Sequence, residues 1–344
     1  MKELLRELSL AFGPSGCEDG VKDIIKSYIE KNMPACGELS CDTSGGLFLT
    51  LKKEGAPRLM ICAHMDEVGF MVTHIEENGL LRFGCVGGID PIVLTSKRVV
   101  SESGHRGSII AKPVHLLSKD ERDKRPKIEN MMIDIGADSR EEAEKVTFVG
   151  EYFTFDSDYV EYGEGYVKCK ALDDRLGCAI MCKLIKDIAT GEVSSDYELH
   201  FAFTCREEVG YSGAFAATER IKPDYGIVIE SKAVADVHGV SDQKKVCVLG
   251  DGAIVSFADL GTIYDRDFTR HIMDLCEKNN IKYQVHRIIS GGNDSRNIQI
   301  SASGCRVALL SAASRYIHSP ADVVHYDDLD AIYEAIKAVI RRGN

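Results

Sequence analysis

The sequence contains no run of apolar residues long enough to cross a membrane as a helix. Its first residues, MKELLRELSLAFGPSG, also lack the long apolar core and cleavage site of a secretory signal peptide. They predict instead a short amphipathic helix that ends near Gly13 and Pro14. We therefore expect a protein that has no membrane partner and works in the cytoplasm.

The twelve cysteines include no Cys-x-x-Cys pair, which argues against a zinc knuckle built from thiolates. Disulfide-rich proteins are short secreted chains, whereas this chain has 344 residues and no visible secretion signal. We therefore expect the cysteines to be free, buried thiols in a reducing compartment.

Positive charge is scarce, because 54 acidic residues outnumber 42 basic ones and give a net charge of -12. No basic stripe of the kind that contacts nucleic acid is present. The acidic surplus favours solubility and could concentrate cations near the protein. We therefore expect no nucleic-acid partner.

Length and pattern predict one large domain with an additional module, because 344 residues exceed a simple single core. Alternating strands and helices in residues 1–66 and 164–344 predict an α/β three-layer sandwich with the sheet between helices. The predicted strands are 47–51, 59–63, 199–203, 225–229, 246–249, 253–257, 283–287 and 306–310. The predicted helices are 18–33, 173–189, 265–279 and 328–342.

Residues 67–163 have a different pattern from the parts on either side. Short β-like runs at 69–73, 80–83, 98–100 and 108–111 alternate with glycines and turns. The polar stretch 118–130 contains a proline and few apolar residues, so we expect an exposed loop there. The whole block is predicted to be a small β-rich module, inserted between two halves of the larger domain.

Five short segments place acids and histidines where strands are predicted to end, and sites in α/β sheets gather at such ends. They are residues 63–69, 170–177, 205–214, 228–236 and 315–320. In the first, His64 ends a buried strand and Asp66 can turn back towards its imidazole. A metal-bound histidine usually donates its other N–H to a carboxylate. A surface histidine beside a surface acid would give the same spacing.

Two pairs of adjacent acids occur in these segments. Asp173 and Asp174 lie at a predicted helix start, where they could cap the helix, although neighbouring like charges also suit a bound cation. Glu207 and Glu208 follow a predicted strand. They could form a solvated acidic turn, but the small residues after them suit a tight turn into a packed helix.

Glu230 and His318 complete the set of candidates. Glu230 ends an apolar strand, where a carboxylate needs a partner or a metal ion. His318 precedes Ser319 and Pro320 and could equally be an ordinary loop histidine. Together the imidazoles and carboxylates of these segments suit Zn, Co or Mn at a hydrolytic site.

The segments HMDEVGF, VGGID, KALDDRLG, REEVG and GGNDS occur in this order along the chain. As an ordered set they resemble the tetrahedral (TET) aminopeptidases, a family of co-catalytic metallopeptidases that includes glutamyl, leucyl and deblocking enzymes. The similarity covers nearly the whole chain. It implies an α/β catalytic domain of residues 1–66 and 164–344, with residues 67–163 as an inserted, barrel-like dimerisation domain. It also implies dimers that build a twelve-subunit shell.

The resemblance implies a role for each candidate residue. The expected ligands of two divalent ions, Zn, Co or Mn, are His64, Asp173, Glu208, Glu230 and His318. Asp173 would bridge the ions, Glu207 would be the general base for a metal-activated water, and Asp66 would orient His64. The peptide bond between Asp173 and Asp174 is expected to be cis.

The predicted function is hydrolysis of N-terminal residues from peptides. Two departures from the family pattern concern the site: Glu230 stands where many relatives have Asp, and Asn293 where they commonly have Thr. One alternative is an amidohydrolase that cleaves N-acyl amino acids, and another is a metal-binding assembly protein without catalysis. A glycosidase would use the paired acids but would leave both histidines unexplained.

Overall fold

The computed structural model describes residues 1–341, apart from the side chain of Glu121, and confirms the predicted α/β sandwich with an inserted barrel. The helices are Lys2–Leu10 (α1), Asp19–Asn32 (α2), Lys119–Arg122 (α3), Arg140–Ala143 (α4), Leu172–Ala189 (α5), Ser212–Ile221 (α6), Arg266–Lys278 (α7), Ser295–Ile298 (α8) and Tyr326–Ile340 (α9). The strands are Gly37–Cys41 (β1), Leu47–Leu51 (β2), Arg58–His64 (β3), Gly69–Ile75 (β4), Leu81–Val86 (β5), Arg98–Ser101 (β6), Arg106–Ile110 (β7), Met132–Asp134 (β8), Tyr152–Phe155 (β9), Val160–Tyr162 (β10), Tyr166–Cys169 (β11), Glu198–Thr204 (β12), Tyr225–Ala233 (β13), Ala253–Val255 (β14), Tyr283–Val285 (β15), Arg306–Ser314 (β16) and Asp322–His325 (β17).

An eight-stranded sheet lies at the centre of the described chain, in the order β1–β2–β12–β3–β13–β16–β14–β15. Its middle strands β12, β3, β13 and β16 are parallel. These strands are nearly continuous apolar runs because helices cover both faces of the sheet. Helices α1, α2, α5, α7 and α9 pack on one face, and α6 and α8 pack on the other.

Strands β4 to β9 close into a barrel in the order β4–β5–β8–β7–β6–β9. The barrel has its own apolar core, in which Phe70 packs edge-on against Phe83 and Phe155 with ring centroids 5.3 and 5.2 Å apart. Its strands all fall within the predicted module 67–163, whose exact boundaries stay a prediction. A small sheet of β10, β11 and β17 lies outside the barrel.

The predicted strand at residues 246–249 is wrong. The backbone of Val246 has a φ of 66°, which turns the chain. The N–H and carbonyl of Val248 bond to the side-chain amide of Gln284 at 2.9 and 2.8 Å. In a strand, the N–H and carbonyl of Val248 would bond to a neighbouring strand, but here the side chain of Gln284 satisfies both groups. Elsewhere, the predicted loop 118–130 contains two short helical turns, and residue 342 of the predicted last helix lies outside the described residues.

Within the described residues, no helix has the length and apolar character needed to cross a membrane. All twelve cysteines lie in this part of the chain, and each is a free thiol, as predicted. Most are buried or half-buried, but Cys36 and Cys41 are exposed beside and within the edge strand β1. The prediction of buried thiols is therefore wrong for these two.

Candidate active site

The candidate residues gather at the carboxyl ends of the parallel strands, where α/β sheets place their sites. His64 is the last residue of β3, and the strand register pairs it with Thr204, the last residue of β12. The turn that carries Glu207 and Glu208 follows β12 directly. Glu230 lies in β13, the strand on the other side of β3. Strand order thus brings together residues that lie far apart in the sequence.

His64 is surrounded by carboxylates and is only 2% exposed. Its Nε2 lies 3.5 Å from Asp173 Oδ1 and 3.6 Å from Glu230 Oε1. Its Nδ1 lies 3.1 Å from the backbone oxygen of Asp66 and 3.4 Å from Asp66 Oδ1. An N–H at Nδ1 is therefore held by Asp66, which leaves Nε2 directed at Asp173 and Glu230.

Asp66 is fully buried and accepts hydrogen bonds from several directions. The backbone N–H groups of Glu207 and Glu208 donate to its two oxygens at 3.0 and 3.2 Å, and the Ser15 hydroxyl donates to Oδ2. Burial alone would raise the pKa of Asp66, but hydrogen bonds from His64, Ser15 and Glu207 lower it below its usual value. Asp66 therefore stays ionised and holds both the imidazole and the acidic turn.

Asp173 and Asp174 stand at the start of α5 and have different partners. The peptide bond between them is cis, as the resemblance implied. Asp173 Oδ1 lies 3.5 Å from His64 Nε2, and its Oδ2 lies 3.3 Å from His318 Nε2. Asp174 instead accepts the backbone N–H groups of Gly177 at 3.1 Å and of His64 at 3.3 Å. One acid thus faces both histidines, while the other binds the backbone.

His318 reaches the site from the loop that follows β16. Its Nε2 lies 3.1 Å from Glu208 Oε1 and 3.3 Å from Asp173 Oδ2. Its Nδ1 lies 2.6 Å from the backbone oxygen of Gly88, which belongs to the segment 67–163. An N–H at Nδ1 donates to this carbonyl and leaves Nε2 for the carboxylates. The inserted module therefore takes part in the geometry of the site.

Several buried atoms of this cluster have no hydrogen-bond partner within the described residues, namely His64 Nε2, Asp173 Oδ1 and Glu230 Oε2. Such atoms are rare in protein interiors unless they bind something. Ligand atoms of His64, Asp173 and Glu208 lie within 4.8 Å of one another, as do those of His64, Asp174 and Glu230. Since zinc and similar ions take imidazole nitrogens and carboxylate oxygens, these residues fit a divalent-ion site.

The electrostatics of the cluster favour bound positive charge. Burial and the charge of Asp173 raise the pKa of Glu230 well above its usual value. Burial and the charges of Glu230 and Glu208 also raise the pKa of Glu207 well above its usual value. Burial would lower the pKa of His318, but hydrogen bonds to Asp173 and Glu208 raise it to about 12. A cation near these carboxylates, whether a proton or a metal ion, is therefore stabilising.

A cleft with a volume of about 540 Å³ opens beside these residues. Its walls include Glu207, Tyr211, Lys232, His318 and the loop 290–292. Glu207 is 7% exposed, and no ion pair of its carboxylate is found in the described part of the chain. It is therefore an acid that faces the cleft with its oxygens free.

Comparison with known proteins agrees with this geometry. A model of the peptidase M42 family, described as M42 glutamyl aminopeptidase, matches residues 45–334. The chain belongs to the peptidase M42 family. It is thus an enzyme of the aminopeptidase class, a hydrolase of peptide bonds, as the resemblance predicted.

Three known proteins are similar to this chain over almost its whole length. A lysyl aminopeptidase of Pyrococcus furiosus is 28% identical over 98% of this chain and 96% of its own. The structure of a TET aminopeptidase from a marine sediment archaeon of the Thaumarchaeota matches with a TM-score of 0.95 and 30% sequence identity. The match covers 99% of this chain and 96% of that one. A TET peptidase of Pyrococcus horikoshii, which can assemble into a tetrahedron or a large octahedral shell, has a TM-score of 0.86, 31% identity and coverage of 99% for each chain.

A buried charge cluster that the sequence motifs do not predict lies next to the site. Glu67 Oε1 accepts from Lys170 Nζ at 2.7 Å and lies 3.6 Å from Arg175 Nη2. The Thr154 hydroxyl in the barrel donates to the other oxygen of Glu67 at 2.8 Å. Both Glu67 and Lys170 stand in the motifs, but they are 103 residues apart, and nothing in the sequence predicts their pairing.

Of the segment 291–295, Gly291 and Gly292 line the cleft, whereas Asn293 does not. The amide of Asn293 is buried and donates to Asp259 at 3.1 Å and to the Tyr264 hydroxyl at 2.9 Å. The departure from the family pattern at Asn293 therefore falls in a buried polar network. Lys232, which sequence reasoning did not single out, lines the same cleft.

Proposed function

We propose that this M42 enzyme is a dinuclear metal-dependent aminopeptidase, which removes N-terminal residues from peptides with Zn, Co or Mn as its ions. The observation that carries the proposal is one cluster of imidazoles and carboxylates in which three buried atoms, His64 Nε2, Asp173 Oδ1 and Glu230 Oε2, find no hydrogen-bond partner among residues 1–341. The proposed ligands are His64, Asp173, Glu208, Glu230 and His318.

The ligands divide naturally into two sets. His64 and Glu230 would hold one ion. Glu208 and His318 would hold the other ion. Asp173 would lie between the two sets, because one of its oxygens faces His64 and the other faces His318. The longer side chain of Glu230, in place of the usual Asp, reaches to 3.6 Å from His64 Nε2 and so remains within the cluster. When bound, two divalent ions polarise the scissile carbonyl and lower the pKa of the attacking water.

Glu207 is the proposed general base. It faces the cleft, and burial raises its pKa, so its carboxylate can accept a proton from water and return it to the leaving amine. A positioned base of this kind typically contributes about 10²–10⁴-fold to the rate. Asp66 is the proposed positioning residue, since it contacts His64 and the backbone of Glu207.

The free α-amine of a peptide would be stabilised beside this acidic cluster, which would restrict cleavage to the N-terminus. A panel of aminoacyl p-nitroanilides and their N-acetyl derivatives, assayed with Zn, Co and Mn after chelation, tests the proposal. We expect hydrolysis of the free-amine substrates only. Faster cleavage of N-acyl amino acids would support the amidohydrolase instead. If no substrate is hydrolysed at full metal occupancy, the result would support a metal-binding protein without catalysis.

We further propose that residues 67–163 mediate assembly into dimers and a twelve-subunit shell in the cytoplasm. The module exposes apolar side chains, including Val114 at 71%, Phe148 at 60% and Leu116 at 59%, which are typical of interaction surfaces. A TET1 peptidase of Pyrococcus horikoshii can assemble into a tetrahedron or a large octahedral shell, and a dodecamer of PhTET1 is known. Light scattering should give the mass of a dodecamer. A stable, fully active monomer would contradict any assembly through this module. A stable dimer would contradict only the twelve-subunit shell.

A further inference from the structure

Tyr211 stands on the same turn as the proposed base Glu207. Its backbone N–H lies 3.1 Å from the carbonyl oxygens of both Arg206 and Glu207. The N–H of Gly210 also donates to the Glu207 oxygen, at 3.0 Å. The turn therefore closes on itself directly before α6 begins. Main-chain hydrogen bonds thus fix the position of Tyr211 relative to the base.

The backbone of Tyr211 has a φ of 61°, which lies in the left-handed region that residues with side chains rarely adopt. Asn297 of α8 supports this conformation, because its side-chain amide donates to the carbonyl oxygen of Tyr211 at 2.9 Å. Unfavourable backbone conformations persist where the surroundings fix them, and they cluster at functional sites. In this conformation Tyr211 lines the cleft together with Glu207, Glu230 and the loop 290–292.

The hydroxyl of Tyr211 is an unused hydrogen-bond donor at the edge of the cleft. The residue is half-buried, and none of residues 1–341 accepts a hydrogen bond from its hydroxyl. Burial and the charge of Glu207 raise the pKa of Tyr211 above its usual value, so the hydroxyl keeps its proton at neutral pH. It can therefore donate to a ligand in the cleft.

Gly292 leaves the space that this hydroxyl occupies. A Cβ added at Gly292 would lie 2.9 Å from the hydroxyl oxygen of Tyr211 and 3.7 Å from the ring carbon that carries it. The first distance is an overlap, and the second is an ordinary van der Waals contact. A side chain at position 292 would therefore displace the hydroxyl, whereas a ring without its hydroxyl would fit.

The proposed reaction develops negative charge close to this turn. A general base must lie within hydrogen-bond reach of the water that it activates, and that water attacks the carbonyl carbon of the substrate. The carbonyl oxygen therefore becomes negative near Glu207. Other side-chain donors line the cleft, but Ser231 and Lys232 belong to β13, whereas Tyr211 shares the turn of the base.

We propose that Tyr211 is a catalytic residue whose hydroxyl donates a hydrogen bond to the scissile carbonyl oxygen in the transition state. The inference rests on the proposed aminopeptidase function. The water oxygen forms a bond to the carbonyl carbon, and the π electrons of the carbonyl move to its oxygen. The phenol stabilises this oxygen without giving up its proton. A donor that meets the oxyanion only in the transition state raises kcat without tightening substrate binding.

Tyr211→Phe removes the hydroxyl and keeps the ring. For the aminoacyl p-nitroanilide that is cleaved fastest, measured at saturating metal, we expect kcat to fall by about 10- to 100-fold with KM nearly unchanged. Tyr283→Phe is the matched control, because that hydroxyl donates to Glu277 on the surface at 2.7 Å, and kcat should not change. An unchanged kcat in Tyr211→Phe, or a rise in KM alone, would overturn the proposal.

Calorimetry with a transition-state analogue tests the same contact without turnover. A phosphinic dipeptide places tetrahedral phosphorus oxygens where the scissile carbonyl would lie, and it should bind Tyr211→Phe about 10- to 100-fold more weakly than the wild type. The corresponding amine without a carbonyl group (isoamylamine for leucine) should bind both proteins equally. Equal affinity of the phosphinic dipeptide for both proteins, or equal weakening of both ligands, would contradict a contact with the oxyanion.

Gly292→Ala tests whether the position of the hydroxyl matters. We expect this substitution to lower kcat in the wild type and to have a much smaller effect in Tyr211→Phe, where the added Cβ meets only the ring. Equal losses in the two backgrounds would contradict the proposal. If the wild type hydrolyses none of the aminoacyl substrates, the proposed function fails, whereas a normal kcat in Tyr211→Phe contradicts only the role of Tyr211.

Discussion

The backbone N–H of Glu207 donates to Asp66 Oδ1 at 3.0 Å. Asp66 also lies beside Nδ1 of His64, so one buried carboxylate connects a proposed ligand with the turn that carries the proposed base. The segments that supply these residues follow β3 and β12, which are parallel neighbours in the sheet. The position of the base relative to the ligand therefore depends on a single side chain.

Asp66→Asn should weaken metal binding and activity together. The amide nitrogen of asparagine cannot accept a hydrogen bond, so at least one of the N–H groups of Glu207 and Glu208 loses its partner. Removal of such a support for a metal-bound histidine typically reduces metal affinity by about 10- to 100-fold. Calorimetric titration of metal-free protein with Zn²⁺ measures this change.

The matched control for this variant is Asp265→Asn. Asp265 also accepts a backbone N–H, that of Phe268 at 2.8 Å, but it does so at the start of α7. Asparagine is an equally good residue at a helix start, so neither stability nor metal affinity should change appreciably. Wild-type Zn²⁺ affinity in Asp66→Asn would contradict the positioning role of Asp66.

Glu207→Gln and Glu208→Gln should separate catalysis from metal binding. Glu207→Gln removes the proposed base and should lower kcat by about 10²–10⁴-fold with metal content retained. Glu208→Gln removes a proposed ligand that lies 3.1 Å from His318 Nε2 and should lose metal as well. Steady-state kinetics and metal analysis of the same samples give both quantities. Near wild-type kcat in fully loaded Glu207→Gln would exclude Glu207 as the base.

Gly87→Ala should disturb the proposed ion site of Glu208 and His318, because Gly87 directly follows the barrel strand β5. Gly87 has a φ of 85°, and an added Cβ would lie 2.8 Å from a methyl group of Val68 and 3.2 Å from Glu208 Cβ. Relief of this overlap would move Glu208 or the neighbouring Gly88 carbonyl that holds His318. We expect metal affinity and activity to fall together, as measured by metal titration and kcat.

Gly104→Ala is the control for Gly87→Ala. Gly104 has a φ of 88°, so the backbone strain is comparable, but an added Cβ would meet nothing within 4 Å. Alanine in the left-handed region costs about 1–2 kcal/mol in either position. Equal effects of the two substitutions on metal affinity would show that strain alone, rather than displacement of Glu208, is responsible.

Glu67→Gln should lower the free energy of unfolding by about 3–5 kcal/mol, because it leaves Lys170 and Arg175 buried without their counter-charge. Chemical denaturation with and without metal measures this loss. Glu38→Gln removes one partner of the exposed pair with Lys52 and should have little effect. Equal stabilities of the two variants would contradict the role of Glu67 as the counter-charge of Lys170 and Arg175.

Much of the site could be predicted because its residues follow buried strands, and parallel strand ends meet at one edge of a sheet. What could not be predicted depends on contacts that have no local pattern. The Nδ1 of His318 bonds to a backbone oxygen 230 residues away, at Gly88. Lys232 reads as an ordinary polar residue beyond the predicted strand 225–229, and it shares a face with Glu230 because β13 continues to Ala233. The run 246–249 reads as a strand because it is apolar, but the side-chain amide of Gln284, rather than a neighbouring strand, bonds to the backbone of Val248.

Anomalous diffraction from crystals loaded with Zn²⁺ tests the central claim most directly. The account predicts two peaks in each subunit, about 3.5–4 Å apart, as is usual for co-catalytic ions. Asp173 should contact both peaks, His64 and Glu230 one of them, and Glu208 and His318 the other. A single peak at full Zn²⁺ occupancy, or two peaks that do not contact His64 and His318, would contradict it.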